Sequence, residues 1–280
     1  MRIVNKLKNI DRRQWIRYGV MILGILALAP PIGFLAQAFG GSQFCGPLCP
    51  RMAIGFDFPR ELFSRTAGVA LLFIWLGVTF FFGRFFCSHF CPAGGLTEFA
   101  SFLLPGRAKI DYCRIIDAPL FRYGFLAAFI LLPAFGVASV CCAYCNIIVI
   151  PETFGAIFLS QARGMLTTGV RLTSGALYIL LLGVLARDGR GHCHLMCPIG
   201  ALDTIANHVG AKLPFTWRTR IQPEKCTGCG LCLEDCPSWA MSIDDEENVA
   251  KIDYQRCNQC RICEAKCPEG AIIYSLKSAG

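Results

Sequence analysis

The chain has 280 residues, 54% of them apolar and only 16% charged, with 18 cysteines and a formal charge of +8. Soluble domains carry about a quarter charged residues, so this composition excludes disorder and argues against a wholly soluble protein. So many cysteines in so long a chain are not a small secreted disulfide scaffold.

Residues 1–15 are read as a basic cytoplasmic N-terminus, with Arg2, Lys6, Lys8, Arg12 and Arg13. Residues 16–205 are expected to be a domain of four transmembrane helices. Runs without Asp, Glu, Lys or Arg cover 18–50, 66–83, 123–151 and 172–186. A helix crossing a hydrocarbon core of roughly 30 Å needs about 20 apolar residues. The first and third runs exceed that, the second just reaches it, and the fourth does so if it starts near Met165. Pro30, Pro31 and Pro133 predict kinks or early helix ends. Arg84, Arg107, Lys109, Arg114 and Arg122 crowd the link between the second and third runs, and Arg187 and Arg190 follow the fourth. By the positive-inside rule the chain is then a pair of hairpins with both termini cytoplasmic. This accounts for most of the positive charge, and no interleaved basic and aromatic runs point to nucleic acid. A rival reading of the start is a signal peptide cleaved after Ala36-Gln37-Ala38. Cleavage would orphan the cysteine pair that follows.

The segments 83–96 and 189–202 match at seven of fourteen positions: Gly, Arg, Cys, Cys, Pro, Gly and Leu. Each copy ends a hairpin at the inner face. Together Cys87, Cys91, Cys193 and Cys197 supply four thiolates, enough for one cubane cluster or one zinc site. A pseudo-two-fold axis along the membrane normal would bring the pairs together. The plainer alternative is four packed structural thiols. A fainter outer version has Cys45 and Cys49 in one hairpin and Cys141 and Cys145 in the other, with Cys142 as an alternative ligand. These cysteines hold a further cluster or form disulfides in an oxidising compartment. All four histidines lie at or beyond the inner face, which argues against a haem within the bilayer. Arg84, His89, Glu98 and His192 flank the inner thiolates. Because histidine titrates near neutral pH, they form a candidate quinone site.

A linker, 206–220, leads to a tail, 221–280, where the composition turns polar. Cys226, Cys229, Cys232 and Cys236-Pro237 are followed by Cys257, Cys260, Cys263 and Cys267-Pro268 at the same spacing. This is the run of a bacterial two-cluster ferredoxin, in which the fourth cysteine serves the other cluster. The rule assigns Cys226, Cys229, Cys232 and Cys267 to one [4Fe–4S] cluster and Cys257, Cys260, Cys263 and Cys236 to the second. Zinc sites use one or two CxxC pairs, commonly with His, and do not need the triple run. A small α+β cytoplasmic ferredoxin domain is expected here, beside a mainly α membrane domain.

With its doubled Cys-x3-Cys-Pro and two-cluster tail, the chain resembles the NapH/MauN group of membrane ferredoxin-type proteins over about residues 13–277. The resemblance implies a multi-pass protein of a bacterial or archaeal cytoplasmic membrane. It implies electron transfer from quinol toward a periplasmic redox protein, as a quinol dehydrogenase subunit within a complex, with a cytoplasmic electron donor as a further partner. The expected cofactors are two [4Fe–4S] clusters in the tail, a third at the inner quartet and a fourth if the outer cysteines ligate. Those outer cysteines depart from the pattern of the nitrate reductase member. Two rival functions are a trans-membrane thiol relay and an electron donor for maturation of another enzyme's metal centre.

Overall fold

The computed structural model describes residues 12–28, 66–135 and 173–276. Cys45, Cys49, Cys141, Cys142, Cys145 and the Ala36-Gln37-Ala38 site lie outside the described residues. The chain divides into two compact units, one of Met1–Val20, Leu76–Cys91 and Leu202–Gly280, the other of Met21–Trp75 and Pro92–Ala201.

The expected domain of four transmembrane helices is corrected by the structure. Among the described residues no helix is long and apolar enough to cross a membrane. Helices α1 (Arg12–Leu28), α2 (Thr66–Phe82) and α6 (Ala118–Ala134, numbered by its place in the chain) have 17 residues each. At 1.5 Å per residue that is about 26 Å, short of a core of roughly 30 Å. The second run is helical up to its last residue, α2 stopping at Gly83, whose φ is +83°, and α6 keeps Arg122 inside its first turns. Within the fourth run Ala176–Val184 is a nine-residue π-helix, continuous with the α-helical residues 173–175. The described chain combines helices with two small sheets.

The internal repeat is also a repeat of local shape. Gly83 (φ +83°) and Gly189 (φ +74°) occupy the left-handed region that glycine enters without a Cβ penalty. Each is followed by a wholly buried arginine, Arg84 or Arg190. One-turn helices come next, α3 (Phe85–His89) with Cys87 and α7 (Gly191–Leu195) with Cys193. The proline after Cys91 or Cys197 then opens the following helix, α4 (Pro92–Leu103) or α8 (Pro198–Lys212). Proline suits the first helical position, where its missing N–H would have no intrahelical partner.

In the first unit the tail forms two antiparallel pairs. Strand β1 (Arg218–Ile221) pairs with β4 (Ile272–Ser275), and β2 (Met241–Ile243) with β3 (Ala250–Ile252). Helices α9 (Leu231–Glu234) and α10 (Ile262–Lys266) carry the third cysteine of each run. Arg218 fastens β1 to the end of α2. Its guanidinium donates to the carbonyls of Thr79 (3.1 Å), Phe80 (2.8 Å) and Phe81 (3.0 Å) in the last turn of α2, where Thr79 O also accepts from Gly83 N (2.8 Å) and Phe81 O from Trp217 N (2.9 Å). Burial lowers its pKa to about 10, so it stays charged at neutral pH and complements the negative helix end. Arg218→Met is expected to destabilise the protein by about 2–3 kcal/mol, the usual worth of hydrogen bonds to a charged group. Urea unfolding checks this.

In the second unit α4 packs along the π-helix and the segment after it. Ser101 Oγ donates to the Ala186 carbonyl (2.8 Å). Ile110 and Arg187 exchange backbone bonds with the same stretch, Ile110 N to Leu185 O at 2.8 Å and Arg187 N to Ile110 O at 2.9 Å. A short helix, α5 (Tyr112–Ile115), adds Tyr112, whose hydroxyl donates to Leu181 O at 3.1 Å.

Candidate iron–sulfur sites

The tail cysteines sort into two cavities, and the sorting crosses between the runs. Cys226, Cys229, Cys232 and Cys267 line one cavity. Cys236, Cys257, Cys260 and Cys263 line another. Around the first lie Ile243, Ala250 and Ile272, around the second Ala240 and Ile252. The crossing follows from the chain path. Cys236 and Cys267 each sit beyond a helix too short to return to its own loop, α9 or α10.

Burial sets the chemistry of these thiols. It pushes Cys232 up to about 11, helped by the neighbouring Cys226, Cys229 and Cys267. It also raises Cys257 and Cys263, with other cysteines of the second cavity adding to the shift. These thiols hold their protons at neutral pH until a metal displaces them. Backbone donors already point at two sulfurs: Ala250 N at Cys226 Sγ and Ala240 N at Cys236 Sγ, each 3.4 Å. Twelve cysteines with described side chains carry no disulfide. Three cysteines at Cys-x2-Cys-x2-Cys spacing joined in one cavity by the Cys-Pro cysteine of the other run are the donor set of a four-iron cube.

The two loops reach one backbone shape by different residues. The first run uses Gly228 (φ +68°) and Gly230 (φ +78°), and the second puts Gln259 (φ +55°) and Arg261 (φ +61°) at the same places. A left-handed non-glycine residue costs about 1–2 kcal/mol, so each side chain needs compensating contacts. Gln259 Oε1 accepts from Thr219 N (2.9 Å) and Thr219 Oγ1 (2.8 Å), and its stem fills the space left by Gly83. Arg261 bonds Glu264 at 2.6 and 2.9 Å and lies over the Tyr274 ring at 4.7 Å. Glu264 also meets Arg13 of α1 at 3.2 Å.

The second cavity is thereby fixed to the end of α2 and to α8. Asn207 Nδ2 donates to the carbonyls of Tyr254 (2.7 Å) and Cys257 (3.2 Å). One turn earlier Asp203 accepts from the Cys87 thiol (3.1 Å) and from Thr79 Oγ1 (2.9 Å). Arg84 lies near enough to Cys257 to favour its thiolate. One face of α8 therefore touches Cys87 with Asp203 and the second cysteine loop with Asn207. Asp203, Asn207 and Gln259 carry no motif. The one sequence signal was the loss of two glycines when the second run is laid on the first.

The remaining residues singled out from the sequence divide between the units. Cys87, Cys91, Cys193 and Cys197 are all partly accessible; the first two lie in the first unit and the others in the second. Cys197 Sγ accepts from Gly200 N (3.3 Å). Of the candidate quinone residues, Arg84 and His89 fall in the first unit, Glu98 and His192 in the second. Glu98 is buried in an ion pair with Arg190 at 2.5 Å. His192 is buried edge-on to Tyr178, ring centres 4.5 Å apart. His89 stacks on Phe85 at 4.1 Å, with Nδ1 2.5 Å from Ser88 Oγ.

Comparison with known proteins agrees with this geometry. A family described as a 4Fe-4S binding domain matches residues 64–111 and again 170–216, the two copies of the repeat. A 4Fe-4S dicluster domain matches residues 225–272. The methylamine utilization ferredoxin-type protein MauN of Methylobacillus flagellatus is 29% identical over 240 residues, covering 81% of this chain and 77% of its own. No solved structure matches the chain.

Proposed function

Proceeding from a chain that is an iron–sulfur electron-transfer protein of the MauN/NapH type, we propose that it passes electrons between the quinone pool of a bacterial or archaeal cytoplasmic membrane and protein redox partners. It acts as a quinol-oxidising subunit that serves a periplasmic redox protein. The observation that carries the reading is the fixed attachment of one four-cysteine cavity to Gly83 and to α8 through Gln259 and Asn207. A tail that served only soluble partners would need no such anchor.

A bound cube takes up or releases one electron at a time. The chain's own part is to hold, shield and place. Four cysteines wall each tail cavity, buried Ala240, Ala250 and Ile272 add apolar lining, and backbone N–H groups offset negative charge on Cys226 and Cys236. In this reading Cys87, Cys91, Cys193 and Cys197 hold a third cube. Both pairs fall inside the stretches matched as 4Fe-4S binding domains. An apolar quinol has suitable surroundings at the exposed rings of Phe85, Phe86 and Phe90. His89, among them and partly accessible, takes a quinol proton.

The test is anaerobic mixing of purified protein with lipid vesicles loaded with a reduced quinone. Bleaching of the iron–sulfur absorption near 400 nm is expected (on the order of one electron per cube), slowed by His89→Asn at unchanged iron content. No reduction by quinol in a protein carrying its full iron, together with disulfide exchange on a periplasmic-type substrate, would turn the assignment to a thiol relay.

A further inference from the structure

Asn258 follows the first cysteine of the second run, and its side chain is 2% exposed. Both amide atoms, Nδ2 and Oδ1, are buried and lack a hydrogen-bond partner among the described residues. A buried amide without a partner is unfavourable and rare, so it calls for a group that satisfies it. Asn258 lines the second tail cavity with Cys236, Cys257, Cys260 and Cys263. Whatever fills that cavity therefore meets an amide. Thiolates and the sulfides of a cube are negatively charged acceptors, which fixes the choice between the two amide atoms: Nδ2–H faces the sulfur, and the carbonyl oxygen turns away.

The first cavity lacks this feature. The matching residue is Thr227, which is exposed, and Cys229 of that loop is exposed as well. Water reaches Cys229 of the first set, whereas in the second set Cys236 and Cys257 are buried and none is exposed. Two sets of cysteines with the same spacing thus offer different surroundings, one open to water at a single sulfur and one supplied with a protein donor.

We propose that Asn258 is a positioning and tuning residue of the second tail centre, its side-chain amide donating a hydrogen bond to a sulfur there and raising that centre's reduction potential above the value it would otherwise have. The inference rests on the reading that the tail cavities hold cubes. Its sign is electrostatic. Reduction adds one negative charge to the centre, and a donor aimed at sulfur favours the more negative form. The anchored centre therefore retains an electron that it would otherwise pass to the first.

The experiment is an anaerobic redox titration of the full chain followed by electron paramagnetic resonance, with iron and acid-labile sulfide counted in every sample. Asn258→Leu keeps the size and removes the donor. It is expected to reduce the equilibrium constant for one-electron reduction of one tail centre about tenfold, a fall of 59 mV, and to leave the other where it was. Thr227→Val is expected to move neither. If Asn258→Leu does not assemble, the unsubstituted protein decides. Labelling asparagine side-chain amides with 15N must then give hyperfine coupling to one reduced tail centre, and Asn258→Thr must abolish it. Full iron with unmoved potentials, or with no coupling, overturns the assignment. A tail without iron or sulfide overturns the reading beneath it instead.

Discussion

Cys267→Ala is expected to destroy the centre of the first cysteine run and spare that of the second, although Cys267 stands at the end of the second. Cys236→Ala should do the reverse. The cavities make this claim directly, since Cys267 lines the space with Cys226, Cys229 and Cys232, and Cys236 lines the space with Cys257, Cys260 and Cys263. Each single substitution should remove about four iron atoms per chain, one cube's complement. Double variants separate crossed from local ligation. Cys229→Ser with Cys267→Ala should lose no more iron than either alone, because both strike one site. Cys229→Ser with Cys236→Ala should lose about twice as much. The opposite pattern of additivity would show that each run ligates by itself. The thiols left behind give a second readout. Burial holds the protons on Cys257 and Cys263, so in a chain stripped of metal they should alkylate far more slowly than exposed Cys229.

The part of the site that could be read from the residues is the part that depends on spacing. Three cysteines two residues apart, then one beside a proline, leave little choice of geometry, and the two sets that spacing names are the two sets that line the cavities. The Gly-Arg-x-x-Cys repeat was equally plain because its glycines must adopt φ values that other residues avoid. What spacing does not encode is partnership across the chain. Arg84 and Arg190 look alike in sequence, yet Arg190 is bound to Glu98 while Arg84 lies near Cys257. Asp203 and Asn207 are ordinary polar residues until α8 sets one beside Cys87 and the other beside the second loop.

The membrane helices failed on length: among the described residues no helix is long and apolar enough to cross a membrane, and α1, α2 and α6 have 17 residues each. Counting uncharged residues measures hydrophobicity and does not register where a helix begins and ends. The apolar side chains of α2 remain on the surface, with Leu71, Phe73, Ile74 and Val78 all exposed.

Gly189→Ala should have the largest effect on stability. Its φ of +74° costs an alanine about 1–2 kcal/mol in the left-handed region. The new Cβ would also stand 2.5 Å from Glu98 Cα and from Thr97 O, and 2.7 Å from Glu98 N. These are backbone atoms of α4, which cannot swing aside as a side chain can. Relief requires α4 to back away from the Arg187–Gly189 turn, adding about 1–3 kcal/mol for overpacking and pulling Glu98 from the buried Arg190 guanidinium. The sum, about 2–5 kcal/mol, is a large share of the 5–15 kcal/mol that holds a typical domain together. Gly83→Ala is expected to cost less, since what it meets is the Gln259 side chain. Its damage should appear at the second cysteine loop as slower iron loading. Gly124→Ala provides the control: nothing lies within 4 Å of its Cβ position in α6, so replacing a helix-interior glycine there should raise stability by about 0.5–1 kcal/mol. Thermal unfolding of the three variants at equal iron content tests the order. A Gly189→Ala protein as stable as the parent would mean that α4 does not press on the turn as these distances require, and the buried Arg190–Glu98 pair would then have to be held by other contacts.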